Sequence, residues 1–225
     1  LKEARAICQK ADAELIWKLP KITRDDFLKN ARPLLDEVDV DGIMVENIGA
    51  IETILAARPK VRIYGGSGLN VWNHMTIRTL APYLQHLTLS PELSRDQLAR
   101  TAAAARQLDG VPKLELVVQG NLEVMVTEDC IPCLAKRKSD PGDFWGLQDF
   151  KRVFPVRLDD EGRTHIFNSA ETCLLDLMPE VFRIGLDGIA VDARGRTPKY
   201  AREMTEIYMK AIELTRMGSG SVDED

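Results

Sequence analysis

Residues 41–90 run DGIMVENIGAIETILAARPKVRIYGGSGLNVWNHMTIRTLAPYLQHLTLS. Within them three short apolar runs, Gly42 to Glu46, Val61 to Tyr64 and His86 to Ser90, alternate with helix-length stretches. Such runs, rich in aliphatic and aromatic side chains, predict strands, and the longer stretches between them predict helices. A strand, a helix and a strand again is the βα unit, whose crossover makes neighbouring strands parallel. Outward from this stretch the same kind of run recurs at Leu15 to Leu19, Leu114 to Val118 and Gly188 to Asp192. The expected fold class is therefore α/β with a parallel sheet, either doubly wound or closed, and we read it as (β/α) TIM-barrel-like. A closed barrel takes eight such units, so this one is expected to be incomplete, lacking its first βα units.

Local signals place the helices. Ser94 ahead of Gln97 and Thr23 ahead of Asp26 resemble capping boxes, and Thr197 followed by Pro198 resembles an N-cap with proline in the first turn. The last helix is expected over Pro198 to Arg216, with a wide apolar stripe through Ala201, Met204, Ile207, Tyr208 and Ala211. From Cys130 to Phe154 the rhythm breaks: Lys136, Arg137 and Lys138 are followed by little strand signal, as in a long functional loop. Val153 to Leu158 and Arg163 to Phe167, separated by Asp159, Asp160, Glu161 and Gly162, predict a β-hairpin. We expect one barrel-like domain over 1–217 and a disordered tail over 218–225.

Composition bounds the function. At 225 residues, 44% hydrophobic and 29% charged, the chain has the make-up of a folded globular protein. A formal charge of -5 argues against a wholesale polyphosphate binder but leaves room for a local basic patch. No apolar window is long enough to span a membrane, and the first ten residues do not read as a signal peptide, so a cytoplasmic protein is expected. The chain starts with Leu1 in mid-pattern, which suggests a fragment with an upstream domain in the same polypeptide.

Chemistry-bearing residues cluster at strand ends, where a barrel presents its site. Asn70 and Asn73 follow the Gly65, Gly66, Gly68 turn, and Ser90 and Glu92 close the next strand. An amide, a hydroxyl and a carboxylate there could converge on a substrate, or serve as helix caps. Asp192 and Arg194 end the last strand in the same manner and could pair or hold an anion. His165 lies on the hairpin's alternating pattern. Cys130 and Cys133 have the two-residue gap that lets two thiolates reach one metal ion, and Cys173 lies in an expected helix after Asn168 and Ser169. Cys8 falls in an amphipathic helix and reads as packing. Neither a His-Glu-x-x-His helix nor a Gly-x-Ser-x-Gly elbow is present.

Five blocks then take on a shared likeness: Leu69 to Asn73 (LNVWN), Leu89 to Leu93 (LSPEL), Gly120 to Cys130, Arg163 to Asp176 (RTHIFNSAETCLLD) and Asp192 to Tyr200 (DARGRTPKY). In this order they resemble the collagenase-like peptidase family of unassigned catalytic type, peptidase family U32, in the later part of its catalytic module. The family's name implies protein hydrolysis, while its better understood members resemble oxygen-independent hydroxylases of RNA or a quinone precursor that use a four-cysteine iron-sulfur cluster. The resemblance matches Cys173 to the last cluster cysteine and Cys130 to one of the first two, with Cys133 an irregularly spaced third. No cysteine occurs from Leu134 to Thr172, where the family pattern places another. Glu123 could complete the set, a ligand better suited to zinc than to iron and sulfide.

Three functions follow as expectations. One is hydroxylation of RNA or another aromatic substrate at a thiolate-bound iron-sulfur cluster or zinc, with Glu92 and Arg194 catalytic. Asn70, Asn73, Ser90, His165 and Asp192 would bind substrate, Cys130, Cys133, Cys173 and Glu123 would hold the metal, and Lys136, Arg137 and Lys138 would contact phosphates. The second is a metal-dependent peptidase acting on a peptide, with Glu92 or Glu123 as base. The third is a non-catalytic barrel half that supports another domain.

Overall fold

The structure, a computed structural model, describes residues 2–134 and 144–219. The basic run Lys136, Arg137, Lys138 and residues 220–225 of the expected tail lie outside them. The chain divides into two compact units, Leu1–Val117 with Glu180–Ile189, and Val118–Pro179 with Ala190–Asp225.

The first unit is built from α1 (Lys2–Lys10), β1 (Ile16–Lys18), α2 (Asp25–Glu37), β2 (Gly42–Val45), α3 (Gly49–Ala57), β3 (Arg62–Gly65), α4 (His74–Leu80), β4 (His86–Thr88), α5 (Arg95–Ala105) and the first residues of β5 (Lys113–Gly120). Its strands are parallel and lie side by side in chain order, with Ile16 opposite Gly42, Ile43 opposite Ile63, Gly65 opposite Leu87 and Leu87 opposite Leu114. Mixed α/β architecture with a parallel sheet is thus observed, and it is compatible with part of a barrel. The reason is visible in the alternation. Ile43, Val45, Ile63, Leu87 and Leu114 are fully buried on one face, as are Leu35, Ile54 and Ile77 from the helices. Burying each such side chain contributes about 1.5–3 kcal/mol. The alternate positions Tyr64, His86 and Glu115 keep partial exposure, so these strands follow a period of two rather than a continuous apolar run.

The second unit holds the end of β5, then β6 (Glu123–Thr127), α6 (Ile131–Leu134), β7 (Phe144–Gln148), β8 (Val153–Leu158), β9 (Thr164–Phe167) and β10 (Thr172–Cys173). The helix α7 (Met178–Arg183) and the strand β11 (Gly188–Val191) each run across the boundary between units, and α8 (Pro198–Ser219) closes the chain. An antiparallel sheet runs in the order β6-β9-β8-β7.

Several local expectations change. The segment from Cys130 to Phe154 is not loop throughout, because β7 pairs with β8 from Phe144 opposite Arg157 to Gln148 opposite Val153. Gly146, which interrupts the run of Phe144, Trp145 and Leu147, weakened its strand pattern. Cys173 lies in no helix; it sits on β10, antiparallel to β5 with Cys173 opposite Gln119. Helix α2 begins after Arg24 with no side-chain cap, so Thr23 does not cap it. Ser94 and Gln97 do form the full capping box of α5, and Thr197 accepts from the Tyr200 amide at 3.2 Å at the start of α8. Among the described residues no helix is long and apolar enough to cross a membrane.

Leu87→Ala is expected to destabilise the chain by about 2–5 kcal/mol in urea unfolding, because the fully buried side chain leaves a cavity. Met75→Ala, on the exposed side of α4, should cost no more than about 0.5 kcal/mol. Equal effects for the two would show that this face of the sheet is not the core.

Candidate functional site

The β8–β9 hairpin fixes the first component of the site. Asp159 closes its turn: Oδ1 accepts from the amides of Glu161 at 3.1 Å and Arg163 at 2.8 Å, and the Gly162 amide, at φ 79°, donates to the Asp159 carbonyl at 3.1 Å. The other carboxylate oxygen, Oδ2, is left to face along the strand, where it accepts from Arg163 Nε at 2.9 Å and meets His165 Nε2 at 3.1 Å. On the other side of β9, β6 pairs antiparallel, with a register irregularity between Glu123 and Met125. Such an irregularity re-aims a side chain, and the Glu123 carboxylate, 2% exposed, lies 2.9 Å from His165 Nδ1.

Arg194, in the segment after β11, completes the group. Its Nε and Nη2 fork onto the two oxygens of Asp192 at 2.9 and 2.6 Å, and its Nη1 lies 3.2 Å from Glu123 Oε2. A planar guanidinium on a carboxylate in this bidentate form is geometrically specific as well as strong. Glu123, Asp159, His165, Asp192 and Arg194 are thus one charged group inside the second unit.

The electrostatics follow from these distances. The hydrogen bond to Glu123 raises the His165 pKa; burial opposes it, and Asp159 adds to the rise. Burial pushes the Asp159 carboxyl up, but the hydrogen bonds from His165 and the Arg163 amide and the Arg163 charge outweigh it, so the carboxyl stays below its ordinary value. A carboxylate on each side favours the protonated ring, the form in which both nitrogens donate.

A second polar group in the same unit joins Gln119, Glu171 and Tyr200. Gln119 Nε2 donates to Glu171 Oε1 and to the Tyr200 hydroxyl, both at 2.9 Å, and the Tyr200 hydroxyl donates to Glu171. The Tyr208 hydroxyl, buried at the β5 edge, lies 3.0 Å from the Val118 carbonyl and from Gln119 Oε1, and burial raises its pKa. Sequence reading passed over Asp159, which looked like a turn residue only, and over Gln119, Glu171, Tyr200 and Tyr208, whose spacing carries no motif.

In the first unit Asn70 and Ser90 come together: Asn70 Oδ1 accepts from the Ser90 hydroxyl at 2.9 Å and from Trp72 Nε1 at 2.7 Å. Asn73 caps α4, accepting from the Thr76 amide at 3.0 Å. Glu92 is exposed, and only its amide turns toward Ser90 Oγ, at 3.4 Å. Glu46, at the end of β2, was also missed; its fully buried carboxylate lies 2.5 Å from Lys18 Nζ and accepts from the Gly68 amide.

The sulfur donors are arranged differently from the expected set. Cys130 and Cys133 are joined in a disulfide, with the Cys133 amide 3.3 Å from Cys130 Sγ. Cys173 is a free, exposed thiol whose sulfur lies 3.9 Å from the Tyr208 hydroxyl, and the Glu123 carboxylate is engaged by His165 and Arg194. Among the described residues no three His, Cys, Asp or Glu side chains form a group that could hold a metal ion. The donors in this arrangement do not fit a four-thiolate cluster.

Comparison with known proteins places the chain among relatives. The model of peptidase family U32 matches residues 1–224. The chain is similar to tRNA hydroxylation protein P2 of Bacillus subtilis (strain 168), with 28% identity over 81 residues, which are 36% of this chain and 26% of that protein. The match therefore spans about a quarter of that relative's length. Among solved structures it is similar to the spore cortex-lytic enzyme SleL of Bacillus megaterium QM B1551, with a TM-score of 0.42 and 10% identity over 85% of this chain and 58% of that one.

The clamp on His165 has a pH signature. Its raised pKa means that the stabilisation is full below the unfolded value of about 6.5 and is lost as pH rises through the folded value. His165→Gln should therefore cost about 1–3 kcal/mol in urea unfolding near pH 5.5 and much less near pH 9. A cost that grows with pH would contradict the cationic clamp. For the cysteines, mass spectrometry after alkylation of the unreduced, unfolded chain should find Cys8 and Cys173 labelled, with Cys130 and Cys133 labelled only after reduction.

Proposed function

Because the chain belongs to peptidase family U32, we propose that it is part of an RNA-hydroxylating enzyme, its parallel strands forming a segment of a (β/α) barrel wall and its work lying in the cytoplasm. Two names stand against each other here: the family is called a peptidase, and a relative in part of its length is called a tRNA hydroxylation protein. One observation supports the second for this chain. His165 sits between Glu123 and Asp159 with both ring nitrogens facing carboxylate oxygens. Both carboxylates favour its protonated form, in which the imidazole has no lone pair to take a proton from a water or a hydroxyl, and this weighs against a role as the base of a hydrolase. It is suited to donating a proton or meeting negative charge.

In this reading Arg194 holds the substrate, His165 supplies a proton, and Glu123, Asp159 and Asp192 position the two cations. Asn70, Asn73 and Ser90 are the substrate-binding groups proposed for the first unit, with Glu92 beside them. The cofactor proposed from the family resemblance, an iron-sulfur cluster or zinc on Cys130, Cys133 and Cys173, would require the Cys130–Cys133 bridge to open.

The test is nucleoside mass spectrometry of transfer and ribosomal RNA from a strain lacking the gene. A nucleoside one oxygen lighter should replace its hydroxylated form, and complementation with the wild-type gene should restore it. His165→Gln should restore it at least about 100-fold less efficiently, the scale of a positioned proton donor. An unchanged nucleoside profile, with gelatin or peptide cleavage by the purified protein, would overturn the reading in favour of a peptidase.

A further inference from the structure

Beside the charged group, within the second unit, lies a cavity of about 430 Å³ whose lining includes Asn121, Phe144, Phe167, Ser169, Arg194 and Arg196. That volume lies in the range of about 300–1,000 Å³ usual for small-molecule sites. Its walls combine aromatic rings and guanidinium groups with the carboxylate of Glu171. Phe144 is 51% exposed, a large apolar surface to leave in water. Its ring is seated against Gly195, where φ is 70° and any Cβ would run into the ring. The Arg194 guanidinium lies 5.6 Å from the centre of the Phe167 ring, and that of Arg196 lies 5.0 Å from the centre of Tyr200. Ser169 lines the same space, and its hydroxyl oxygen is buried with no hydrogen-bond partner.

The charges decide what such a cavity takes. Arg194 is matched by Asp192 and Glu123, and Arg196 by Glu171 at 3.3 Å and by Asn121. The guanidiniums are therefore available as flat, weakly hydrated faces more than as uncompensated charge, which disfavours a free phosphate as the main ligand. A planar heteroaromatic ring fits better: it stacks on Phe and on Arg planes, and its polar edge can satisfy a buried hydroxyl. We propose that this cavity binds one unpaired nucleobase, stacked on Phe144 and hydrogen-bonded at its edge by Ser169. The assignment of the ring to RNA rests on the proposed RNA hydroxylation; the ring pocket itself rests on these side chains.

Fluorescence anisotropy with the full chain tests it, using a short labelled single-stranded RNA, the same sequence as a duplex, and unlabelled uridine monophosphate as competitor. The single strand should bind more tightly than the duplex, whose bases are already paired and stacked, and the nucleotide should compete. Phe144→Ala should weaken both ligands by about 5- to 150-fold, Phe144→Trp should retain binding, and Ser169→Ala should weaken it by about 2- to 10-fold. Circular dichroism checks that each variant is folded; Phe144 is exposed enough that its truncation leaves the core intact. RNA binding that is unchanged in Phe144→Ala overturns the pocket and leaves RNA hydroxylation standing. Phe144-dependent nucleotide binding without RNA binding supports the pocket and removes the RNA reading beneath it. Binding of neither ligand overturns the pocket.

Discussion

One carboxylate, Glu123, ties together three separate pieces of the second unit. It belongs to β6, it meets His165 on β9, and it meets Arg194 beyond β11. A carboxylate that is 2% exposed is tolerable only with cations and hydrogen bonds around it, since an ion left unpaired in such a place costs several kcal/mol. The three segments are therefore held to one mutual arrangement by charge. The neighbouring carboxylates extend the same logic: Asp159 is fixed by its own turn before it reaches His165, and Asp192 by its fork with Arg194.

Such a group is costly as a stabilising device, because an apolar cluster of equal volume often does as well. What it provides is a histidine whose protonated form is favoured and an arginine over an aromatic ring, next to a cavity with an unsatisfied hydroxyl. These are features of recognition and proton donation. The cysteines stand apart from this group. Cys130 is tied to Cys133, and Cys173 lies at the β5 edge beside Tyr208, so the chemistry proposed for this unit is carried by charge and aromatic surface.

How much of this could be read in advance depended on the range of the interaction involved. The five parallel strands β1 to β5 were legible because each is a short apolar run such as Gly42–Val45 or Arg62–Gly65 whose burial is dictated locally. The β8–β9 hairpin was legible because Asp159 to Gly162 is turn chemistry written in four consecutive residues. Cys173 was misplaced because a two-residue strand is decided by its partner, β5, and not by its own pattern. Strand β7 was hidden for the same reason, since Gly146 weakens its signal while pairing with β8 supplies what the sequence lacks.

From the order of residues alone came the alternation of strands and helices, the family likeness, and the polar residues Glu123, His165, Asp192 and Arg194, because propensity, periodicity and turn formation act over a few neighbours. The tertiary structure alone decided that those four meet and that Asp159 joins them while Glu92 stays in solvent. Asp159 and His165 are six residues apart and Glu123 and Arg194 are 71. Contacts over such separations are set by strand register and by the pairing that buried charge requires, and neither quantity is written in any local stretch of the chain.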